Sequence, residues 1–197
     1  MAPPASPSIG EDKRELRRRL RAARRAVGAG ERAAAAGAID RALAGLGLPR
    51  PGTRIAAYRP QDGEIDPAAI LRRARALGCA IHVPVITSLR GRRMQFMPLG
   101  PGGEPAPSGA IGPRWLDLVL VPLVGFDALG NRLGMGAAFY DRHFAFLRQR
   151  RAWRRPLLLG LAFEAQRVDG LPVQAHDLPL WGVVTERGIH GRAARTR

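Results

Sequence analysis

Cysteine is almost absent from this 197-residue chain, in which Cys79 stands alone. An internal disulfide is therefore excluded, and no cysteine cluster can hold zinc. That fits a reducing compartment. Long apolar runs are missing too. The richest, 116–126 and 157–163, are too short for a bilayer, which takes about 20 residues of helix. The opening MAPPASPSIGED has no apolar core and does not read as a secretory signal. A soluble, cytoplasmic protein with no membrane partner is expected. No Ser-His-Asp or Cys-His arrangement is evident, so nothing points to a protein nucleophile. Lysine is nearly missing as well: of 32 basic residues only Lys13 is a lysine, and the rest are arginine.

Positive charge is what the chain has in excess, +16 net. In an Ala/Gly/Pro-rich sequence the bland reading is base composition, with arginine spread over solvated surface. The functional reading is an anionic partner such as nucleotide phosphates, a polyglutamate tail or RNA. Charge alone does not choose among these. No aromatic-and-basic strand pattern and no helix-turn-helix is evident, so nucleic acid is not the expected partner. The length, with 46% hydrophobic residues, suits one domain with a real core.

Helices are expected over 11–27, 31–46 and 66–77, and strands over 53–58, 79–85, 117–124 and 157–162. A Gly/Pro loop is expected over 98–113 and a helix over 138–150. Strands that alternate with helices and lack polar alternation imply an α/β fold. The expected architecture is a single three-layer domain, its mainly parallel sheet covered by helices on both faces. Its expected span is 11–187, between a disordered extension at 1–10 and a flexible basic tail at 188–197.

On the first helix, Lys13, Leu16, Arg17, Leu20, Arg24 and Val27 share one side. Arg14, Arg18, Arg21 and Arg25 share another with no apolar neighbours, which reads as a solvated face. Lys13 and Arg17 flank the leucine stripe that must dock, so they either snorkel or point into a cleft. A point-like ammonium serves a phosphate differently from a guanidinium, which favours a special use for Lys13.

The strongest local pattern is DLVLVPLVGFDALGNRLGMGAAFYD, 117–141. A buried strand leaves through Phe126 and Asp127, turns at Gly130 and Asn131, and reaches Arg132, Gly134, Gly136, Tyr140 and Asp141. A strand, a glycine bend and a helix start suit an anion, and Asp141 is a hard oxygen donor suited to Mg²⁺. Gly-Lys-Ser/Thr of a Walker A loop is absent, and Phe139 stands where a dinucleotide fingerprint needs glycine. Farther on, His176 and Asp177 are candidates for metal, proton transfer or a turn cap. Glu64, in YRPQDGEIDP, follows a strand end, where α/β proteins place ligand groups.

Taken together, KRELR at 13–17, GEID around Glu64, and FDALGNRLGMGAAFYDR at 126–142 resemble the 5-formyltetrahydrofolate cyclo-ligase family. The resemblance runs from Lys13 to Glu186 in the family's order. It implies a compact three-layer α/β fold. It implies ATP- and Mg²⁺-dependent conversion of 5-formyltetrahydrofolate to 5,10-methenyltetrahydrofolate through a phosphorylated formyl group. By the same resemblance Lys13, Arg132 and Tyr140 are catalytic. ATP is bound by Lys13, Arg17, Arg132 and the run Gly134, Met135, Gly136, Ala137, Ala138, Phe139 and Tyr140. The folate, possibly polyglutamylated, meets Glu64, Tyr58, Gly136 and Tyr140, and Asp141 with Asp177 holds the metal. A monomer is expected. Two positions depart from the family pattern: Ala138 replaces its third glycine, and Trp181 stands where it usually has aspartate. The alternatives are a non-cyclising ATP- or folate-binding paralogue and a basic nucleic-acid-binding protein.

Overall fold

The computed structural model describes residues 12–100, 102–106, 108–150, 155–174 and 177–191. The expected N-terminal extension at 1–10 and the candidate His176 lie outside them. The body is a seven-stranded sheet in the order β3-β2-β1-β4-β7-β8-β9. Its inner strands β2 (Ala80–Ser88), β1 (Arg54–Ala56), β4 (Leu118–Pro122), β7 (Leu157–Leu161) and β8 (Gly182–Thr185) run parallel.

The central strand explains the layers. Along β4, Leu118 and Leu120 enter one core with Ile39 and Leu43 of α2 (Ala29–Gly45) and Ile70 and Ala74 of α3 (Ala68–Ala76). Val119 and Val121 enter the opposite core with Phe96, Phe144, Leu158 and Val183. A strand covered on both faces has no room for polar alternation, which is why the sequence shows an unbroken apolar run. Each such side chain contributes about 1.5–3 kcal/mol on burial. The expected three-layer α/β architecture is the one found.

Both sheet edges are antiparallel. β3 (Arg93–Pro98) folds back on β2, and β9 (Gly188–His190) folds back on β8. Short links permit only antiparallel pairing, since a parallel return needs a dozen residues or more. β9 therefore extends the sheet past 187, where a flexible tail was expected to begin; residues 192–197 lie outside the described set. A second correction concerns the helix expected over 138–150. α4 spans only Phe139–His143, and a 3-10 turn, Ala145–Arg148, follows. Phe144 breaks the helix at φ −102° and is fully buried, 5.7 Å from the Phe96 ring. Tertiary packing overrides local helical preference here.

Helix α1 (Lys13–Ala26) is capped by Asp12, whose side chain accepts from the Arg14 N–H. It docks through the fully buried Leu16 and Leu20 on Val124, Leu133 and Val168. Val124 leads into a separate hairpin, β5 (Gly125–Phe126) with β6 (Arg132–Leu133), and Leu133 ends it. A Cβ at Gly125 would collide with Leu20 Cδ1 and lie 3.3 Å from the Gln166 carbonyl oxygen. The helix thus sits directly on the hairpin backbone. β2 lies on one side of β1 and β4 on the other, so connections diverge beyond the carboxyl ends of β1 and β4. Such a divergence opens a crevice where doubly wound sheets bind ligands.

Candidate active site

The hairpin is held by Asp127, which is buried and accepts from Leu129 N (3.0 Å), Asn131 N (3.0 Å), Asn131 Nδ2 (2.8 Å) and Leu171 N (3.3 Å). Those bonds close the turn at Gly130, whose φ is +85°. They set Arg132 at the crevice and tie the 171–174 segment to it. The loop beyond β6 passes through Gly136 at φ +100° and Ala138 at φ +53° before α4. Because α4 is a single turn, no long-helix dipole stands behind an anion here. The expected helix-start contribution shrinks to the loop's own N–H groups.

From the other side, α1 brings Lys13 and Arg17 to the same place. Lys13 Nζ lies 3.5 Å from Asp177 Oδ2, and Arg17 Nε donates to the Gly134 carbonyl at 2.8 Å. Arg132 donates through Nη1 to Leu178 O and through Nη2 to Asp141 Oδ1, both at 2.7 Å. Asp141 Oδ1 also accepts from Leu178 N at 3.0 Å. Together these groups wall a cleft of about 240 Å³. Lys13, Arg17, Arg132, Gly134, Met135, Gly136, Ala137, Ala138, Phe139, Tyr140, Asp141 and Asp177 all line it, with Pro122, Leu171, Pro172 and Gln174. The residues that three separate stretches of sequence nominated for one nucleotide site therefore converge.

Glu64 and Tyr58 do not line that cleft. Tyr58 is buried, and its hydroxyl donates to Ile65 O at 2.7 Å, bracing the loop that carries Glu64. Burial raises the Tyr58 phenol well above its ordinary value, and the Glu64 charge adds to that. Burial likewise pushes up the phenol of Tyr140, against Arg132 and with Glu64. Glu64 thus stands within electrostatic reach of both tyrosines, of which Tyr140 lines the cleft. Burial raises the Glu64 carboxyl too, while the Gln61 N–H and Arg24 oppose it.

Arg24 was placed on the docking side of α1 but given no role, and its surroundings are the main surprise. Its side chain is 1% exposed. It donates to Asp62 O (3.0 Å), Asp62 Oδ2 (2.8 Å), Leu123 O (3.3 Å) and Glu64 Oε1 (3.4 Å). Arg21 and Arg25, read as a solvated face, also reach Asp62, Arg21 Nε at 2.9 Å. Arg25 first, then Arg21 and Arg24, hold the Asp62 carboxyl down to about 2. The partner acid lies in the loop after β1, far along the chain, so helical periodicity could not show it.

Mg²⁺ commonly takes one or two carboxylates and completes its shell with water and phosphate oxygens. Among the described residues no group of three or more His, Cys, Asp or Glu gathers to cage a metal. Asp141 and Asp177, two carboxylates on one cleft, fit the shared kind of site. Trp181 is not part of it. It precedes β8 at the amino end of the sheet, its N–H donating to Leu158 O, and borders a different hollow with Pro156 and Leu180.

The sequence model of the 5-formyltetrahydrofolate cyclo-ligase family matches residues 9–186. The chain belongs to that family. It is 30% identical over 150 residues to the 5-formyltetrahydrofolate cyclo-ligase of Haemophilus influenzae, covering 68% of this chain and 76% of that one. Against the cyclo-ligase of Mycolicibacterium smegmatis it is 30% identical over 195 residues, 90% of this chain and 95% of the other. The fold matches a 5,10-methenyltetrahydrofolate synthetase from Mycoplasma pneumoniae at TM-score 0.73 and 23% identity. That match covers 89% of this chain and 99% of the other. The cyclo-ligase family fold and the cleft at the divergence of β1 and β4 thus coincide in this chain. No helix of the described residues is long and apolar enough to cross a membrane.

Proposed function

We propose that this protein is a cytoplasmic, monomeric cyclo-ligase that converts 5-formyltetrahydrofolate to 5,10-methenyltetrahydrofolate with ATP and Mg²⁺. One observation carries the reading: α1 places Lys13 and Arg17 on the same cleft as the 132–141 loop. A formyl oxygen is a poor leaving group, so closure onto the neighbouring amine needs activation. ATP, when bound, supplies the phosphoryl group that turns this oxygen into a departing phosphate. No protein nucleophile is required, only alignment and positive charge.

Lys13, which lines the cleft 3.5 Å from Asp177, would supply a compact positive charge for the phosphates. Arg17 donates through Nε to Gly134, and its terminal nitrogens would help hold the phosphates. Arg132 has both terminal nitrogens engaged by Leu178 and Asp141, so it acts by holding Asp141 in place. Asp141 and Asp177 would hold Mg²⁺, whose charge offsets that of the phosphates. Tyr140, its phenol kept protonated by burial, donates a hydrogen bond at the folate end. Glu64 accepts from the N–H groups of the folate ring, with Tyr58 bracing its loop.

The rival paralogue reading rested on Ala138 and Trp181. Ala138 adopts the left-handed conformation that glycine favours, so the loop keeps that shape, and Trp181 is remote from the cleft. Of the α1 arginines, Arg17, Arg21, Arg24 and Arg25 are drawn to Gly134, Asp62 and Glu64 rather than arrayed for nucleic acid. The test is to mix the protein with 5-formyltetrahydrofolate, ATP and Mg²⁺ and follow the absorbance of the methenyl product. Product is expected only when all three are present; none above a heat-killed control refutes the reading.

A further inference from the structure

A fully buried guanidinium is costly unless its charge and its N–H groups are matched. Arg24 is matched by three residues of two elements distant in sequence: Leu123 at the carboxyl end of β4, and Asp62 and Glu64 in the loop after β1. Only one of those partners, Glu64, is proposed to touch substrate. We propose that Arg24 is a positioning residue for Glu64, fixing its carboxylate in the loop after β1. The helix that carries Lys13 and Arg17 to the nucleotide thereby also sets the grip on the folate ring. This inference rests on the cyclo-ligase reading for the identity of the ligand.

Arg24 is the guanidinium bonded to Glu64, while Arg32 of α2 lies against the neighbouring Gly63 and donates to Val27 O and Arg25 O. From the loop of Glu64 come the Gln61 N–H, which donates to Oε2 at 3.1 Å, and the negative Asp62. From the end of β1 comes Tyr58, and from α4 Tyr140, both protonated. Burial already favours the neutral acid, and Asp62 does the same. Remove the guanidinium and the carboxyl takes up a proton at higher pH. A protonated Glu64 offers an O–H where an acceptor is wanted for the ring N–H groups. Asp62 adds only in part to that rise, because Arg21 and Arg25 still neutralise it.

The variant to make is Arg24→Gln, of similar polarity but uncharged. KM for 5-formyltetrahydrofolate is expected to rise roughly tenfold or more, the scale of one hydrogen bond to a charged group. KM for ATP should stay within about twofold, because Lys13 and Arg17 remain docked through Leu16 and Leu20. The acid limb of kcat/KM for the folate should move to higher pH. Glu64→Gln should abolish that limb, and the double variant should bind folate no worse than Glu64→Gln alone. Equal rises in both KM values with an unmoved limb would make Arg24 a mere prop for α1 and overturn the proposal.

If Arg24→Gln does not fold, Arg24→Lys decides. It keeps the charge but cannot reach four acceptors, so a raised folate KM with a nearly unmoved limb supports the proposal. An unchanged folate KM overturns it. Failure of the cyclo-ligase reading is separable, because it appears as a wild-type protein that makes no methenyl product. The side-chain carboxyl ¹³C resonance of Glu64, in protein without ligand, should titrate at higher pH in the Arg24 variant whatever the activity. An unmoved titration refutes the coupling directly.

Discussion

Ala138 holds φ +53° and ψ +26° immediately before α4. An L-residue pays about 1–2 kcal/mol for that conformation, whereas glycine takes it freely but loses about 0.4–1 kcal/mol through its looser unfolded chain. The difference favours glycine, so Ala138→Gly should stabilise the protein by about 0.5–1 kcal/mol. The urea midpoint should rise with an unchanged slope; a fall would mean the site is not left-handed. The glycine pattern in the sequence located this position but left open whether alanine there was strained or simply helical. A backbone dihedral depends on the chain entering and leaving the residue, and here the entry is fixed by Gly136 and the exit by the burial of Phe144. Asp177 and Asp141 were legible as acids near the cleft. Their partners Lys13 and Arg132 were nominated too, yet not as pairs, because pairing is a property of packed loops.

At the scale of the element, α1 shows both what periodicity reveals and where it stops. The stripe of Leu16 and Leu20 correctly identified the docking face and put Lys13, Arg17 and Arg24 on it. It said nothing of what waits opposite, so Arg24 passed as one more arginine. β3 was missed although buried Met94 and Phe96 alternate with exposed Arg93 and Gln95, a period-two signal the sequence does carry. β8 and β9 gave less to read, being short and joined by only Glu186 and Arg187. If α1 works as one rigid carrier, disturbing its seat should affect both ends at once. Gly125→Ala forces a methyl into Leu20 and toward Gln166 O. We expect a loss of about 1–3 kcal/mol of stability from overpacking, and KM values for ATP and folate that rise together. This differs from Arg24→Gln, where only the folate responds. An ATP KM unaffected by Gly125→Ala would show that Lys13 and Arg17 do not depend on the helix being seated on the hairpin.

For the molecule as a whole the surplus of arginine sets the response to salt. Local pairing absorbs part of it, as at Asp62, where three guanidiniums share one carboxylate. Pairing cannot remove a net +16, and the unmatched cations repel one another across a body whose parallel core is otherwise conventional. Two effects of added salt then oppose each other. Screening weakens exposed ion pairs, each worth roughly 0–1 kcal/mol, and it also weakens the long-range self-repulsion of the folded state. Repulsion sums over every pair of like charges, whereas the pairs at stake are few and several, such as Arg24 with Asp62, are shielded from solvent. The second effect should win, so Tm measured by calorimetry should climb as NaCl is raised from about 10 to 500 mM, most steeply while the Debye length is still above about 10 Å. A Tm that falls over that range would mean the surface arginines are matched more closely than the charge count allows, and that internal pairing rather than self-repulsion governs the stability of this fold.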